Sequence, residues 1–204
     1  MKSDFNPIIL KENEKIASLN ENIKYELACL DTMDWNKIPL QIIKSSKLPP
    51  CIGDVFVVNP FSEIYYPGIV VNANIIIDGE DSYYTIFVFD KKLCLDDIEP
   101  ELLNKSLNSC SILTGPLIVE RWYWKKGYFL NVSHMDCFIK ENDYGYYRNG
   151  NHMFCDDYGH EISYIPQKLA TYGVQTRYGV SYNIRKKLIM NGLKEAFVSK
   201  IGQN

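Results

Sequence analysis

The sequence lacks the local motifs that mark most catalytic and metal sites. Its six cysteines are scattered without a CxxC pair, which argues against a zinc knuckle and a thioredoxin-type centre. The three histidines, His134, His152 and His160, do not fall at HxxxH or HExxH spacing, so a helical zinc site is not expected. Glycine-rich phosphate loops and the G-x-S-x-G elbow are also missing. We therefore predict no catalytic, cofactor-binding or metal-binding residues.

Long apolar runs and a basic excess are missing as well. No stretch approaches the roughly 20 apolar residues that a membrane span needs, and the opening residues contain no signal-peptide core. The net charge is −3, from 22 basic and 25 acidic residues, whereas nucleic-acid binders usually carry a basic excess. Scattered cysteines are typical of free thiols in a reducing compartment. These features predict a cytoplasmic protein without membrane contact and argue against a nucleic-acid partner.

Aromatic residues, by contrast, are abundant, with 15 Tyr and 9 Phe in 204 residues. Broad rings pack well on a pleated sheet, and an apolar share of 46% is enough for a core. Asp78-Gly79 predicts a hairpin between two strands. The predicted strands cover residues 54–59, 68–77, 83–89, 111–120, 128–132 and 137–140, and residues 144–153 are predicted to form a loop or irregular hairpin.

Helical periodicity occurs near both ends of the chain. Residues 8–34 carry apolar side chains at helical spacing, namely Ile16, Leu19, Ile23, Leu27 and Leu30. A shorter helix is predicted at residues 95–105, with acidic residues at its start. The C-terminal helix is predicted to begin at Ser181 as N-cap and to have an apolar face of Ile184, Leu188, Ile189, Leu193, Ala196, Phe197 and Ile201.

The fold class that these patterns predict is α+β. A curved, mainly antiparallel sheet, open or barrel-like, is expected over residues 53–140, flanked by the N-terminal and C-terminal helices. The β-branched run at residues 69–77 does not alternate cleanly, which predicts that both sheet faces are covered. Residues 45–50, rich in Ser and Pro, predict a linker. We accordingly predict a helical extension at residues 1–45 and an α+β domain at residues 46–204.

Two clusters of polar residues contain side chains that are capable of chemistry. His134 and Asp136 could pair as a base and its orienting group, but no nucleophile stands in a recognisable motif nearby, so catalysis is not predicted. Residues 155–160 combine Cys155, Asp156, Asp157 and His160, which are metal-capable side chains. Turn chemistry explains the Asp and Gly residues without a ligand, so a strand ending in a turn is expected there.

Residues 121–129 form the most distinctive local stretch, with three positive charges and five aromatic rings. Such a stretch can cap a core, contact a protein partner or stack nucleotide bases, and the acidic net charge argues against the last use. In a strand, Trp122 and Trp124 would share one face. We expect the stretch to lie partly at the surface, with Trp122 or Trp124 exposed. The predicted partner-binding residues here are Arg121, Trp122, Tyr123, Trp124 and Lys125.

Acidic clusters are the second candidate contact surface. Asp96 and Asp97 belong to one that also includes Glu99 and Glu101. Such clusters are usually solvated turns and helix starts, but they can also steer a basic partner and raise its association rate. Asp96 and Asp97 are therefore included among the predicted partner-binding residues.

Residues 52–60 (Ile-Gly-Asp-Val-Phe-Val-Val-Asn-Pro), followed by residues 66–71 (Tyr-Pro-Gly-Ile-Val-Val), resemble the immunity protein 26 family of bacterial polymorphic toxin systems. Residues 113–116 and 121–127 continue the match, which covers about residues 48–140. The resemblance implies a small α+β protein that binds and neutralises a cognate protein toxin without catalysis. No binding residues are carried over, because toxin-contacting surfaces vary within such families.

The same residues are also similar to the opening of the SH3-like barrels of MazF/PemK-type endoribonuclease toxins. Those toxins carry an arginine directly before the proline for RNA cleavage, and Tyr66 stands at that position here. The change removes the group that would stabilise charge on the phosphoryl group. We keep an RNA-acting enzyme or RNA-binding protein with a barrel-like sheet as the alternative hypothesis.

Overall fold

The structure is a computed structural model, and it describes residues 6–34, 38–61, 63–77, 79–136 and 143–192. Its larger sheet has five antiparallel strands in the order β4-β3-β2-β1-β5. The strands are β1 (Asp54–Phe61), β2 (Ile64–Ile77), β3 (Glu80–Phe89), β4 (Ile112–Glu120) and β5 (Phe129–His134). The sheet is open and not closed into a barrel, with β4 and β5 at its two edges. The α+β class and the antiparallel sheet are confirmed, and the barrel-like alternative is wrong.

The predicted hairpin joins β2 to β3. Ile77 pairs with Glu80, and Gly79 has φ +84°, the left-handed conformation that favours glycine. Asp78 itself lies outside the described residues, as does the strand predicted at 137–140. The hairpin prediction is confirmed by the pairing on either side of the turn.

A smaller sheet follows the larger one in the chain. It has the order β7-β6-β8, formed by β6 (Tyr144–Arg148), β7 (Met153–Cys155) and β8 (Lys168–Thr171). β6 and β7 make the irregular hairpin that the sequence predicts, whereas β8 pairs with β6 in parallel.

Three of the described helices begin at a side-chain cap, but not always where the sequence predicts. Residues 8–34 form two helices, α1 (Pro7–Ala17) and α2 (Glu21–Thr32), because Asn20 accepts the Ile23 N–H at 3.0 Å and starts a new helix. The helix predicted at residues 95–105 is split into a 3-10 turn (Leu95–Asp97) and α3 (Pro100–Leu107). Proline disfavours helical conformation in the residue before it and suits the first helical position, which explains the break.

The last described helix, α5 (Arg177–Met190), is capped by Thr176, whose hydroxyl accepts the Gly179 N–H at 3.2 Å. The prediction of Ser181 as N-cap is wrong, since Ser181 is buried inside the helix. The apolar face is confirmed for Ile184, Leu188 and Ile189, which are buried; Leu193, Ala196, Phe197 and Ile201 lie outside the described residues.

Helices and the smaller sheet cover both faces of the larger sheet. One face, here called the front face, packs against α5 and the one-turn helix α4 (Trp122–Lys125) through a core that includes Phe56, Val70 and Ile184. The opposite, back face packs against α3. The smaller sheet also joins the back face, where the Tyr144 and Phe87 rings meet edge to face at 5.5 Å. Burial on both faces explains the continuous apolar run in β2.

Both N-terminal helices contact α5, while Phe61 of β1 also joins the α2 cluster and α1 also approaches β8. Ile23, Leu27 and Leu30 of α2 form one cluster with Ile189 and Met190 of α5. The contact joins residues on either side of the domain boundary predicted at residue 45. Glu12 on α1 adds ion pairs to Lys186 and Lys187 of α5, at 3.0 and 3.3 Å.

Candidate partner-binding surface

Residues 121–126 form a helical turn between β4 and β5. The Trp124 N–H donates to the Arg121 carbonyl at 3.1 Å, and the Lys126 N–H donates to the Trp122 carbonyl at 2.9 Å. Gly127, with φ +82°, ends the turn. The strand geometry considered for this stretch is therefore wrong, and Trp122 and Trp124 do not share a strand face.

Tyr123 and Trp124 are anchors of the front-face core. Each side chain is about 1% exposed. The Tyr123 ring stacks on Phe129 at 4.7 Å, and the Trp124 ring meets Phe129 edge to face at 5.0 Å. Phe129 in turn stacks on Phe56 at 4.4 Å. Two of the five predicted contact residues at this stretch are thus inside the protein, where they hold α4 on the sheet.

The polar atoms of these two rings have partners inside the protein. The Tyr123 hydroxyl donates to the Gln175 carbonyl at 3.0 Å, just before α5. Burial, with the Glu120 charge adding, raises the pKa of the Tyr123 phenol. The Trp124 indole N–H donates to the Asn131 side-chain oxygen at 2.6 Å. These bonds, together with the ring packing, fix the orientation of α4.

The surface of this stretch is formed by the other residues. Lys125 and Lys126 are exposed, while Arg121 and Trp122 are partly exposed. The Trp122 ring packs against Tyr128 at 5.3 Å. The prediction that the stretch lies partly at the surface is confirmed for Trp122 and the cations.

Residues 43–47, which overlap the linker predicted at residues 45–50, run alongside α4 with opposite chain direction. The Ile43 N–H donates to the Gly127 carbonyl at 2.7 Å, and the Ser46 N–H donates to the Trp124 carbonyl at 2.9 Å. Further along, an Arg121 guanidinium N–H donates to the Lys47 carbonyl at 2.6 Å. These three contacts hold residues 43–47 against α4, so the segment is not a free connector.

The two aligned segments present five cations on one surface. Lys44, Lys47, Lys125 and Lys126 are exposed, and Arg121 is partly exposed. None of these five takes part in an ion pair with the residues that the structure describes. We call the surface formed by residues 42–48 and 121–127 the α4 basic surface.

Exposed aliphatic side chains flank the α4 basic surface. Ile42 is 69% exposed and Leu48 is 76% exposed, at the two ends of the segment beside α4. Protein interfaces combine large apolar side chains with polar groups, as this surface does. Sequence patterns emphasise the rings at residues 122–124, and the contribution of residues 42–48 is visible only in the structure.

The acidic candidate surface lies elsewhere. Asp96 is exposed in the 3-10 turn that precedes α3, which packs on the back face, whereas α4 packs on the front face. The side chain of Asp97 lies outside what the structure describes. The sheet therefore separates Asp96 from the residues around Arg121, and the two predicted contact regions do not form one site.

His134 lies at the end of β5 between two carboxylates. Its Nδ1 is 3.0 Å from Asp54 Oδ1, and its Nε2 is 3.1 Å from Asp136 Oδ1, so the predicted pairing with Asp136 is confirmed. The hydrogen bond to Asp54 raises the pKa of His134, burial opposes that rise, and Asp136 adds to it. Asp54 also accepts the Asn131 amide at 2.7 Å, which links His134 to Trp124 through hydrogen bonds.

The segment at residues 155–160 forms the predicted strand end and turn. The Gly159 N–H donates to the Asp156 carbonyl at 3.1 Å, and Asp156 Oδ1 accepts the N–H groups of Tyr158 and His160. Asp156 Oδ2 also lies 3.3 Å from the His160 ring. Asp156 is thus a turn residue, as the sequence predicts.

Asp157 departs from the prediction of a solvated turn. Its side chain is buried, and its Oδ2 accepts the Asn72 amide at 2.8 Å and the Tyr144 hydroxyl at 2.7 Å. Oδ1 accepts the hydroxyls of Thr85 and Tyr146. Burial, followed by the charge of Asp157, raises the pKa values of both tyrosines. This carboxylate joins the smaller sheet to the larger one, and the sequence missed it because its four donors are distant along the chain.

Within the described ranges, no group of three or more His, Cys, Asp and Glu side chains is placed to hold a metal ion. No helix in that same part of the chain is long and apolar enough to cross a membrane. Comparisons of the chain with family models, with curated proteins and with solved structures found no match.

Proposed function

We propose that this chain is a bacterial immunity protein, which binds a cognate protein toxin in the cytoplasm and neutralises it without catalysis or a cofactor. The α4 basic surface is the observation that carries the proposal. It combines cations that form no ion pair with the described residues and exposed aliphatic side chains, and the buried rings of Tyr123 and Trp124 pack it on the sheet. Pre-ordered surfaces of this kind lose little conformational entropy when a partner binds.

The resemblance to the immunity protein 26 family supports the same proposal through its scaffold. Gly53 and Asp54 sit where β1 meets the end of β5: a Cβ at Gly53 would lie 2.7 Å from the Met135 carbonyl oxygen. Asp54 accepts the Cys51 N–H at 2.9 Å as well as the Asn131 amide. The motif residues therefore build the sheet, which leaves the surface free to differ between partners.

The RNA-acting alternative has less support. Tyr66, at the position of the catalytic arginine in the similar toxins, is fully buried, and burial raises its pKa to about 12. A buried neutral phenol cannot contact a phosphoryl group in solution. The five-stranded sheet is also open, unlike the barrel of those toxins.

Coexpression tests the proposal directly. Genes adjacent to this one are induced singly and together with this chain, and growth is followed. We expect one neighbour to arrest growth alone, growth to resume with coexpression, and the two proteins to purify as a complex. Absence of rescue by a chain shown to be folded and expressed would contradict the proposal. RNA cleavage by the purified chain would support the alternative.

A further inference from the structure

We infer that the partner of this chain presents an acidic protein surface to the α4 basic surface. This inference rests on the proposed function, and it names the chemistry of the partner. The first reason is the local charge. Residues 42–48 and 121–127 contain five basic residues and no acidic ones, although the whole chain has a net charge of −3. A local positive field on an acidic protein is suited to attracting a negative partner.

The second reason is that the two segments that carry the cations are held side by side, while no ion pair with a described residue neutralises these cations. Backbone hydrogen bonds align Ser46 with Trp124, and the Arg121 side chain is anchored on the Lys47 carbonyl. Like charges held side by side repel each other, so the arrangement raises the energy of the free protein. Carboxylates of a partner would relieve that repulsion and would offer Arg121 a charged acceptor.

The third reason separates an acidic protein from a nucleic acid. Single-stranded nucleic acids bind through exposed aromatic rings on which bases stack. The rings of Tyr123 and Trp124 are buried in the front-face core, and the partly exposed Trp122 ring packs against Tyr128, so no fully exposed ring stands on the α4 basic surface. Ile42 and Leu48 are exposed instead, and these side chains gain by burial against apolar side chains of a protein. The surface therefore fits a partner that mixes carboxylates with apolar groups.

Charge reversal tests this inference on the full chain. The variant carries Lys125→Glu and Lys126→Glu, two exposed changes that leave the buried anchors in place. The matched control carries Lys11→Glu and Lys15→Glu on α1, which change the net charge equally at two other exposed lysines. Thermal melts confirm that both variants fold. The probes are a fluorescent peptide of alternating Glu and Leu blocks and a poly-uridine RNA of equal charge.

We expect the wild-type chain and the control to bind the peptide more tightly than the RNA. The Lys125/Lys126 variant should lose on the order of tenfold in peptide affinity, and wild-type binding should weaken from about 50 to 200 mM salt. Tighter binding of RNA would overturn the inference in favour of a nucleic acid. Equal peptide affinity in both variants, or no peptide binding by the wild-type chain, would also overturn it.

The growth assay keeps this inference distinct from the proposed function. If the wild-type chain and both variants rescue growth equally, the chain is an immunity protein whose toxin docks elsewhere, and only the inference fails. If the wild-type chain rescues no growth but binds the peptide through Lys125 and Lys126, the proposed function fails and the acidic partner stands. Loss of rescue confined to the Lys125/Lys126 variant would support both.

Discussion

The indole N–H of Trp124 donates to the side-chain oxygen of Asn131, and this 2.6 Å bond ties α4 to the edge strand β5. Trp124 is buried but Asn131 is exposed, so water can reach the indole N–H when the amide is removed. We expect Asn131→Leu to lower the free energy of unfolding by about 0.5–1.5 kcal/mol, the usual net contribution of one hydrogen bond. Urea denaturation measures the loss. Asn22→Leu, at an exposed position of α2, is the control and should change stability by less than about 0.5 kcal/mol. Equal stability of both variants would contradict the assigned role of this bond.

Gly127 tests the contact between α4 and residues 43–47. Gly127 and Gly79 both have a positive φ, +82° and +84°. Of these two glycines, Gly127 alone has close neighbours. A Cβ at Gly127 would lie 2.8 Å from the Lys44 carbonyl carbon and the Ser45 nitrogen, whereas a Cβ at Gly79 meets nothing within 4 Å. Both Gly→Ala changes carry the cost of the left-handed backbone, about 1–2 kcal/mol.

We therefore expect Gly127→Ala to be less stable than Gly79→Ala by a further ~1 kcal/mol or more, the usual range for overpacking. Limited trypsin digestion gives an independent measurement, because displacement of this segment opens the bonds after Lys44 and Lys47. Faster cleavage there in Gly127→Ala alone is the expected result. Identical digestion of the two variants would show that the segment is not held against α4.

The hydrogen bonds of the Asp157 carboxylate predict that a small substitution there lowers stability strongly. Asp157→Asn removes the charge that accepts four donors and places an amide N–H against them. We expect a loss of about 1–3 kcal/mol in unfolding free energy, since the amide leaves a buried donor of the network without an acceptor. Asp96→Asn, at an exposed position, is the matched control. A loss under ~1 kcal/mol at Asp157 would contradict the network as a junction of the two sheets.

His134 predicts a pH dependence of stability. The pKa of His134 in the folded protein is raised above 6.5, chiefly by Asp54. The contribution of His134 to folding stability is therefore complete below its unfolded pKa and is lost as the pH rises through its folded pKa. Wild-type stability relative to His134→Gln should therefore be greater at about pH 6 than at about pH 8.5. The difference should stay below ~1 kcal/mol, because the ring is half exposed and water screens it.

Asp136→Asn separates the two carboxylates that surround His134. The Asp136 side chain is 88% exposed, so this variant should lose a smaller part of the pH dependence than His134→Gln. Melting temperatures measured across the same pH range give both values. A pH dependence unchanged in His134→Gln would show that other groups cause it.

The sequence predicts the large sheet well and the α4 region poorly, for a physical reason. Strands and the hairpin at Gly79 follow from local patterns of β-branched residues and turn chemistry. Trp122, Tyr123 and Trp124 favour strands by the same local rule, yet they form a helical turn because Phe56 and Phe129 offer space for two of their rings. Tertiary packing overrides local preference there.

The candidate site shows the same division. The sequence predicts a surface at Arg121 and Lys125, since charged side chains are seldom buried. It does not predict that residues 43–47 lie beside them, because that pairing depends on hydrogen bonds between segments about 80 positions apart. Asp157 escapes prediction for a similar reason: Asn72 and Thr85 approach it only in the folded chain.

The packing of α2 on α5 can form only late in translation, because α5 is made long after α2. The Tyr182 hydroxyl donates to Asp31 at 2.5 Å across 151 positions of the chain. A ribosome adds about 5–20 residues per second, so a nascent chain carries α2 for on the order of 10 s before the residues that cover it are made. During that interval Ile23, Leu27 and Leu30 lack the partner that buries them. This face of α2 is therefore the surface on which chaperones would act during translation, and a product stopped before residue 177 would retain it exposed.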